Sequence, residues 1–189
     1  MFLWLRVAGF ISLDCGGAKS YNDTAGIQWI TDDGYIDIGE KSIVPNVAGV
    51  TTSIQMNNLR KFPERNKNCY DITPLQIGTK YLLRATFLYA NYDGLASPPT
   101  FVLMLDADVW ITVTLTESDV KAKELIFMAK FNGSSVCLGR QSNGGVPIIS
   151  SLELRPLGET MYWPVSQDYS LFRLENTNFG APNDSSDIR

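Results

Sequence analysis

Chemistry in this chain concentrates where an aromatic strand ends. Tyr89, Asn91, Tyr92 and Asp93 set two phenol rings beside an amide and a carboxylate, just ahead of Gly94 and the Pro98-Pro99 pair. The C–H face of a pyranose stacks on an aromatic ring while amides and carboxylates fix its hydroxyls, so this combination suits a sugar. A peptide is the other ligand class it fits. Trp29 and Tyr35 flank a second polar turn, Thr31-Asp32-Asp33-Gly34, and are expected on the same rim if both loops meet at one end of the fold. A plainer reading stands beside each of these. Tyr89 and Trp29 can be core residues, and Asn91-Tyr92-Asp93-Gly94 a turn whose Asp and Gly serve the backbone.

Catalytic chemistry finds less support. The chain has no histidine, which removes His-based triads, imidazole proton shuttles and the commonest nitrogen ligand for zinc or copper. Glu64, Asp93 and Glu153 are candidates for a glycosidase pair, but any chain with 20 acidic residues offers such pairs. Asp32, Asp33 and Asp37 miss the EF-hand spacing. Asp106-Ala107-Asp108 has the D-x-D form of metal-dependent sugar transferases and reads better as a hairpin turn between two strands. The expectation is a non-catalytic protein without a cofactor or a metal site.

Cys15, Cys69 and Cys137 lie far apart with no C-x-x-C spacing, which argues against a zinc ribbon or a thioredoxin-type centre. Three acceptors of the form N-x-S/T occur, at Asn22, Asn132 and Asn183. Together these point to a secreted glycoprotein with one disulfide and a leftover thiol, and three pairings can be drawn.

Residues so placed need a scaffold. At 189 residues the chain falls within the range of one large β-sandwich. Extended segments separated by turn signals recur at 10–13, 27–30, 35–38, 81–89, 101–105, 109–116, 124–131, 135–138 and 148–155, a density that indicates an all-β fold. Within 81–89, Tyr81, Leu83, Ala85, Phe87 and Tyr89 share one face. Within 109–116, Val109, Ile111, Val113 and Leu115 alternate with Trp110, Thr112, Thr114 and Thr116, so one of these faces is expected to be core. Asn132-Gly133 predicts a type I′ hairpin tip. Residues 117–125 predict a turn of helix or a polar connector. Residues 1–8 are apolar but lack the basic start of a signal peptide, and read as a residual or truncated leader. Residues 176–189 read as linker, leaving 9–175 as the domain.

Sixteen basic against 20 acidic residues give a net charge of −4, which disfavours nucleic acid and binding to an anionic membrane surface through charge. No stretch approaches the roughly 18 apolar residues of a membrane span.

Several blocks then occur together in order. They are Gly9-Phe10-Ile11-Ser12-Leu13-Asp14-Cys15-Gly16, Tyr35-Ile36 with Gly39, Asn58-Leu59-Arg60-Lys61-Phe62-Pro63-Glu64 and Arg65-Asn66-Lys67-Asn68-Cys69-Tyr70. Further along come Lys80-Tyr81-Leu82-Leu83-Arg84-Ala85-Thr86-Phe87, Asn91-Tyr92-Asp93-Gly94, Val136-Cys137-Leu138 and Ser151-Leu152-Glu153-Leu154-Arg155-Pro156-Leu157. In that order they resemble plant malectin-like domains, as found in the ectodomains of leucine-rich-repeat receptor-like kinases, where the module commonly occurs as a tandem pair. The chain resembles the first unit of such a pair.

The resemblance implies a malectin-like β-sandwich of the galactose-binding-like, jelly-roll kind and a location outside the cell or at its surface. It implies recognition of carbohydrate, such as cell-wall glycan, through Tyr89, Asn91, Tyr92 and Asp93. The alternative is a protein-interaction module that takes a peptide ligand or a receptor-kinase co-receptor. It also favours Cys69 with Cys137 as the disulfide, leaving Cys15 buried and reduced. Two departures bear on the loops: Ala90 stands where the family usually has glycine, and 138–145 differs from the usual Val-Asn-Thr-Gly version.

Overall fold

The structure, a computed structural model, describes residues 9–45 and 53–173. The expected leader, the linker and the acceptor at Asn183 lie outside the described residues. What is described is built from strands in three sheets. The largest orders β14 (Leu171–Arg173), β10 (Lys121–Met128), β7 (Lys80–Phe87), β13 (Ser151–Pro156), β1 (Ile11–Asp14), β3 (Gln28–Thr31) and β2 (Tyr21–Asn22). The second orders β6 (Lys67–Ile72), β11 (Ser134–Arg140), β8 (Thr100–Leu105) and β9 (Asp108–Thr114). A small third sheet holds β12 (Ile148–Ile149), β5 (Asn58–Lys61) and β4 (Glu40–Ile43). Neighbours run antiparallel except β1 and β3, which run parallel over two pairs, Leu13 with Ile30 and Asp14 with Thr31.

The period-2 pattern of β7 explains why it sits mid-sheet. Tyr81, Leu83, Ala85 and Phe87 are all fully buried, and alternate residues along a strand must point to one side. In register with them, Leu152 and Leu154 of β13 and Leu125 of β10 extend the same apolar layer. Phe87 meets Phe101 of β8 edge-on with ring centroids 5.4 Å apart, which joins the two larger sheets into a sandwich. Each such buried ring contributes about 1.5–3 kcal/mol relative to exposure. On the other face of β7, Arg84 stands between Glu124 and Glu153 on the flanking strands, with Arg84 Nε 2.5 Å from Glu124 Oε1.

Cys69 and Cys137 lie directly opposite each other on β6 and β11 and form the disulfide, while Cys15 is free and buried. Closing a loop of 68 residues removes freedom from the unfolded chain, an effect of about 2–4 kcal/mol.

Four local expectations require correction. Residues 35–38 are not a strand: Asp32–Gly34 form a 3-10 turn, and the carbonyl of Ile38 is held by Arg60 Nη1 at 3.2 Å instead of a sheet ladder. In β9 the alternation breaks. A register shift opposite Leu103 and Met104 leaves Trp110 without a partner residue, so Val109 is 62% exposed and Trp110 is buried. A bulge inserts one extra residue and turns the strand over at that point. Asn132-Gly133 is not a hairpin tip. The strands it joins, β10 and β11, belong to different sheets, and neither residue has positive φ. The peptide instead runs close to the Thr73 segment, where a Cβ on Gly133 would lie 2.9 Å from Thr73 Cγ2. Finally, 117–120 is the polar connector and not a turn of helix, and from Lys121 onward the chain is already β10.

Candidate recognition loop and its surroundings

β7 ends at Phe87, and the chain enters the loop 88–99 through two consecutive left-handed residues, Ala90 at φ 45° and Asn91 at φ 50°. This explains why glycine would suit position 90. A Cβ in that region costs on the order of 1–2 kcal/mol, and Ala90 carries that cost while lying buried in the core.

The loop is tied together by the very groups that looked ready for a ligand. Tyr89 is 1% exposed, and its hydroxyl donates to Asp93 Oδ1 at 2.6 Å and accepts from the Ser97 amide at 3.0 Å. Asp93 Oδ1 also accepts from the Leu95 amide, and Asn91 Oδ1 from the Ala96 amide at 2.8 Å. Tyr92 meets Tyr89 edge-on at 5.6 Å and is half-buried. Burial, then the negative charge of Asp93, push the Tyr92 phenol up to about 12. Tyr92 is therefore a neutral hydroxyl at physiological pH. Leu95, at the loop tip, is 72% exposed.

Trp29 and Tyr35 do not join this loop through any hydrogen bond or ring contact among the described residues. Trp29 is fully buried and its indole N–H donates to Asp23 Oδ2 at 3.0 Å, which pins the β2–β3 turn. Asp23 closes that turn by also accepting from the amides of Ala25 and Ile27. Tyr35 is half-buried against the core, and burial raises its phenol.

The polar turn between them serves a different end. Asp32 is fully buried, and its carboxylate accepts Arg60 Nε at 2.6 Å, Arg60 Nη2 at 2.7 Å, Tyr70 Oη at 2.9 Å and the Gly16 amide at 3.2 Å. Gly16 has φ +85°, and a Cβ there would lie 2.2 Å from the Leu59 carbonyl, so glycine alone allows that amide to reach in. Burial opposes the charge on Arg60, yet Asp32 and then Asp33 outweigh it and hold the guanidinium above its usual range. Burial, then Asp32, push the neighbouring Cys15 thiol far up. It is thus a neutral core group and not a nucleophile.

Two surface features escaped the sequence reading. One is a cleft of about 440 Å³ where β1 and β3 splay apart, lined by Phe10, Ser12, Gly26, Ile27, Gln28, Ile30 and Arg155. No local motif marks it, because it draws on three separate segments. The other is a run of exposed apolar side chains after β13: Met161, Tyr162, Trp163, Tyr169 and Phe172, of which Trp163 is 84% exposed. Aromatic density between 161 and 172 is a signal that could have found it.

Residues 13–189 match the model of the malectin-like domain. The chain belongs to that family. The malectin-like chain is 38% identical over 181 residues, 93% of its own length, to a probable LRR receptor-like serine/threonine-protein kinase of Arabidopsis thaliana, of which it covers 19%. It is 37% identical over 159 residues, 82% of its length, to a receptor-like protein kinase of the same plant, of which it covers 18%. The chain thus spans about a fifth of the length of the curated relatives it matches. Among solved structures it resembles the ANX2 ectodomain from Arabidopsis thaliana, with a TM-score of 0.69 at 16% identity over 79% of this chain and 42% of that one. It also resembles a chain of the plant peptide RALF23 complex with FER and LLG2, with a TM-score of 0.65 at 13% identity over 81% of this chain and 41% of that one. At such identities the likeness is one of fold. No helix among the described residues is long and apolar enough to cross a membrane.

Proposed function

We propose that this chain is an extracellular, non-catalytic recognition module of the receptor-like-kinase type, and that its ligand is a polypeptide, either a peptide or a co-receptor ectodomain. The observation that carries this reading is the exposed run Met161, Tyr162, Trp163, Tyr169 and Phe172. Large aromatics left in water cost free energy that a protein partner recovers, and such residues dominate the energetics of protein interfaces. A solved complex of the plant peptide RALF23 with FER and LLG2, one chain of which shares this fold, is in keeping with a polypeptide ligand. The loop 88–99 fits the same reading, since its polar side chains are engaged by its own backbone while Leu95 protrudes.

Carbohydrate recognition is the second reading, favoured by one observation: the Tyr92 ring is half-exposed beside Asp93, whose Oδ2 accepts none of the loop's own bonds. One experiment separates the two. The secreted chain is titrated calorimetrically against a panel of plant secreted peptides that includes RALF23, and against an LLG2-type protein, alongside a glycan array. The polypeptide reading expects binding that falls at least about tenfold in Trp163→Ala, the loss of roughly 1.4 kcal/mol typical of an interface aromatic, and that Tyr92→Ala leaves intact. A glycan hit abolished by Tyr92→Ala, with no polypeptide bound, overturns it in favour of the second.

A further inference from the structure

The outer strand of a sheet leaves a row of N–H and C=O groups unpaired, and folded proteins blunt such edges with short strands, charges, prolines or a covering segment. Most edges among the described residues follow that rule. β2 and β12 hold 2 residues each and β14 holds 3. β4 carries Glu40 and Lys41. β6 carries Lys67 and Asp71, and the Asp71 amide donates to the Tyr35 carbonyl at 2.9 Å. β9 differs. It is the outer strand of the four-stranded sheet, 7 residues long, and the chain from Val109 to Thr116 holds neither a charge nor a proline.

The hydrogen-bond phase of β9 shows which of its groups face outward. The Leu115 amide donates to the Pro99 carbonyl at 3.1 Å, and amides alternate in direction along an antiparallel strand, so those of Val113 and Ile111 also point to β8. Thr114 stands opposite Thr100, whose own amide turns away from β9 to the Gly144 carbonyl at 2.7 Å. The N–H and C=O groups of Thr112 and Thr114 therefore point away from the sheet, and both residues are exposed. The irregularity opposite Leu103 and Met104 ends before them, leaving Ile111–Thr114 regularly paired.

Charge selects the occupant. Asp108 precedes the uncharged stretch and Glu117 follows it, both are exposed, and neither makes an ion pair. In antiparallel pairing with a second copy, Thr112 would face either Thr112 or Thr114 of that copy. Either register brings Asp108 to within one residue of the position opposite Glu117, at both ends of the pair, and like charges so placed are destabilising. We infer that the outer edge of β9 takes an extended polypeptide segment with basic residues flanking its core as an added strand. Main-chain bonds to Thr112 and Thr114 supply affinity and the two carboxylates supply selectivity. This site goes beyond the aromatic run 161–172 and stands whether or not that run binds.

The test uses the whole chain with its disulfide intact and, as probe, a ten-residue peptide of alternating threonine and valine with a lysine at each end. Amide hydrogen exchange read by NMR is expected to slow at Thr112 and Thr114 when the probe is added. Thr112→Pro removes one outward amide at an edge position where proline is tolerated, and is expected to weaken binding about tenfold, whereas Thr112→Ala keeps it. A probe N-methylated at alternate residues, which leaves the protein untouched, is expected not to bind. Trp163→Ala is expected to leave probe binding unchanged, so a failure of the aromatic run and a failure of this edge are read separately. Exchange at Thr112 and Thr114 that the lysine-ended probe does not slow overturns the proposal. A glutamate-ended probe that binds equally well overturns the basic partner, and slowed exchange at these amides in a dimer without peptide overturns it in favour of a second copy.

Discussion

The loop 88–99 and the turn 31–34 look alike in sequence, each an acidic turn next to aromatic residues, yet they spend their polar groups differently. In the turn, Asp32 is withdrawn from water altogether and its carboxylate is met by four donors, two of them from one guanidinium. In the loop, Asn91 and Asp93 stay at the surface and hold backbone amides, while the ring of Tyr89 goes inside. The consequence is a difference in dependence. A buried carboxylate that loses its cation has no replacement, whereas water can stand in for a lost partner in the loop.

That contrast can be broken by mutation, most forcefully at the buried pair. Arg60→Ala leaves Asp32 charged and uncompensated, and is expected to cost about 3–5 kcal/mol in urea unfolding. A loss below about 1 kcal/mol would show that the pair is as replaceable as the loop contacts. Asp14 sharpens the same point through pH. Its carboxyl is pushed up to about 6, by burial first and by Asp32 in addition, against the hydroxyl of Tyr21 and the amide of Asn58. The folded state therefore holds the Asp14 proton more tightly than the unfolded chain does. Its contribution to stability is complete below pH about 4, declines between about 4 and 6, and stays lost above. Asp14→Asn is expected to flatten that decline, on the order of 2–3 kcal/mol, in melts recorded across the window. A slope unchanged in the variant would refute the assignment. The smallest effect belongs to the loop: Tyr89→Phe removes the hydroxyl shared by Asp93 and Ser97, and should cost about 1–2 kcal/mol. Equal losses in Tyr89→Phe and Arg60→Ala would erase the distinction.

How much of this was legible in the residues depended on whether the signal was local. The faces of β7 could be read because alternation over eight residues, Lys80–Phe87, is a backbone property. Strand β9 misled because a bulge at Trp110 is fixed by the partner strand β8 and leaves no trace in its own alternation. Asn132-Gly133 misled because the turn preference of two residues was outweighed by the need to carry the chain from one sheet to the other. Within the candidate site, the residues of 89–93 were found together, but which of their atoms remain available depended on the amides of Leu95, Ala96 and Ser97 folding back on them.

The sequence by itself determined the all-β class and, through its ordered blocks, the family resemblance that favours Cys69 with Cys137, since periodicity and block order survive in one dimension. Only the tertiary structure decided that Asp32 is the carboxylate taken into the core and Asp93 the one that braces a surface loop. Burial and reach are properties of segments brought together from distant parts of the chain, such as Gly16, Asp32, Arg60 and Tyr70 around one carboxylate, and no local pattern encodes them.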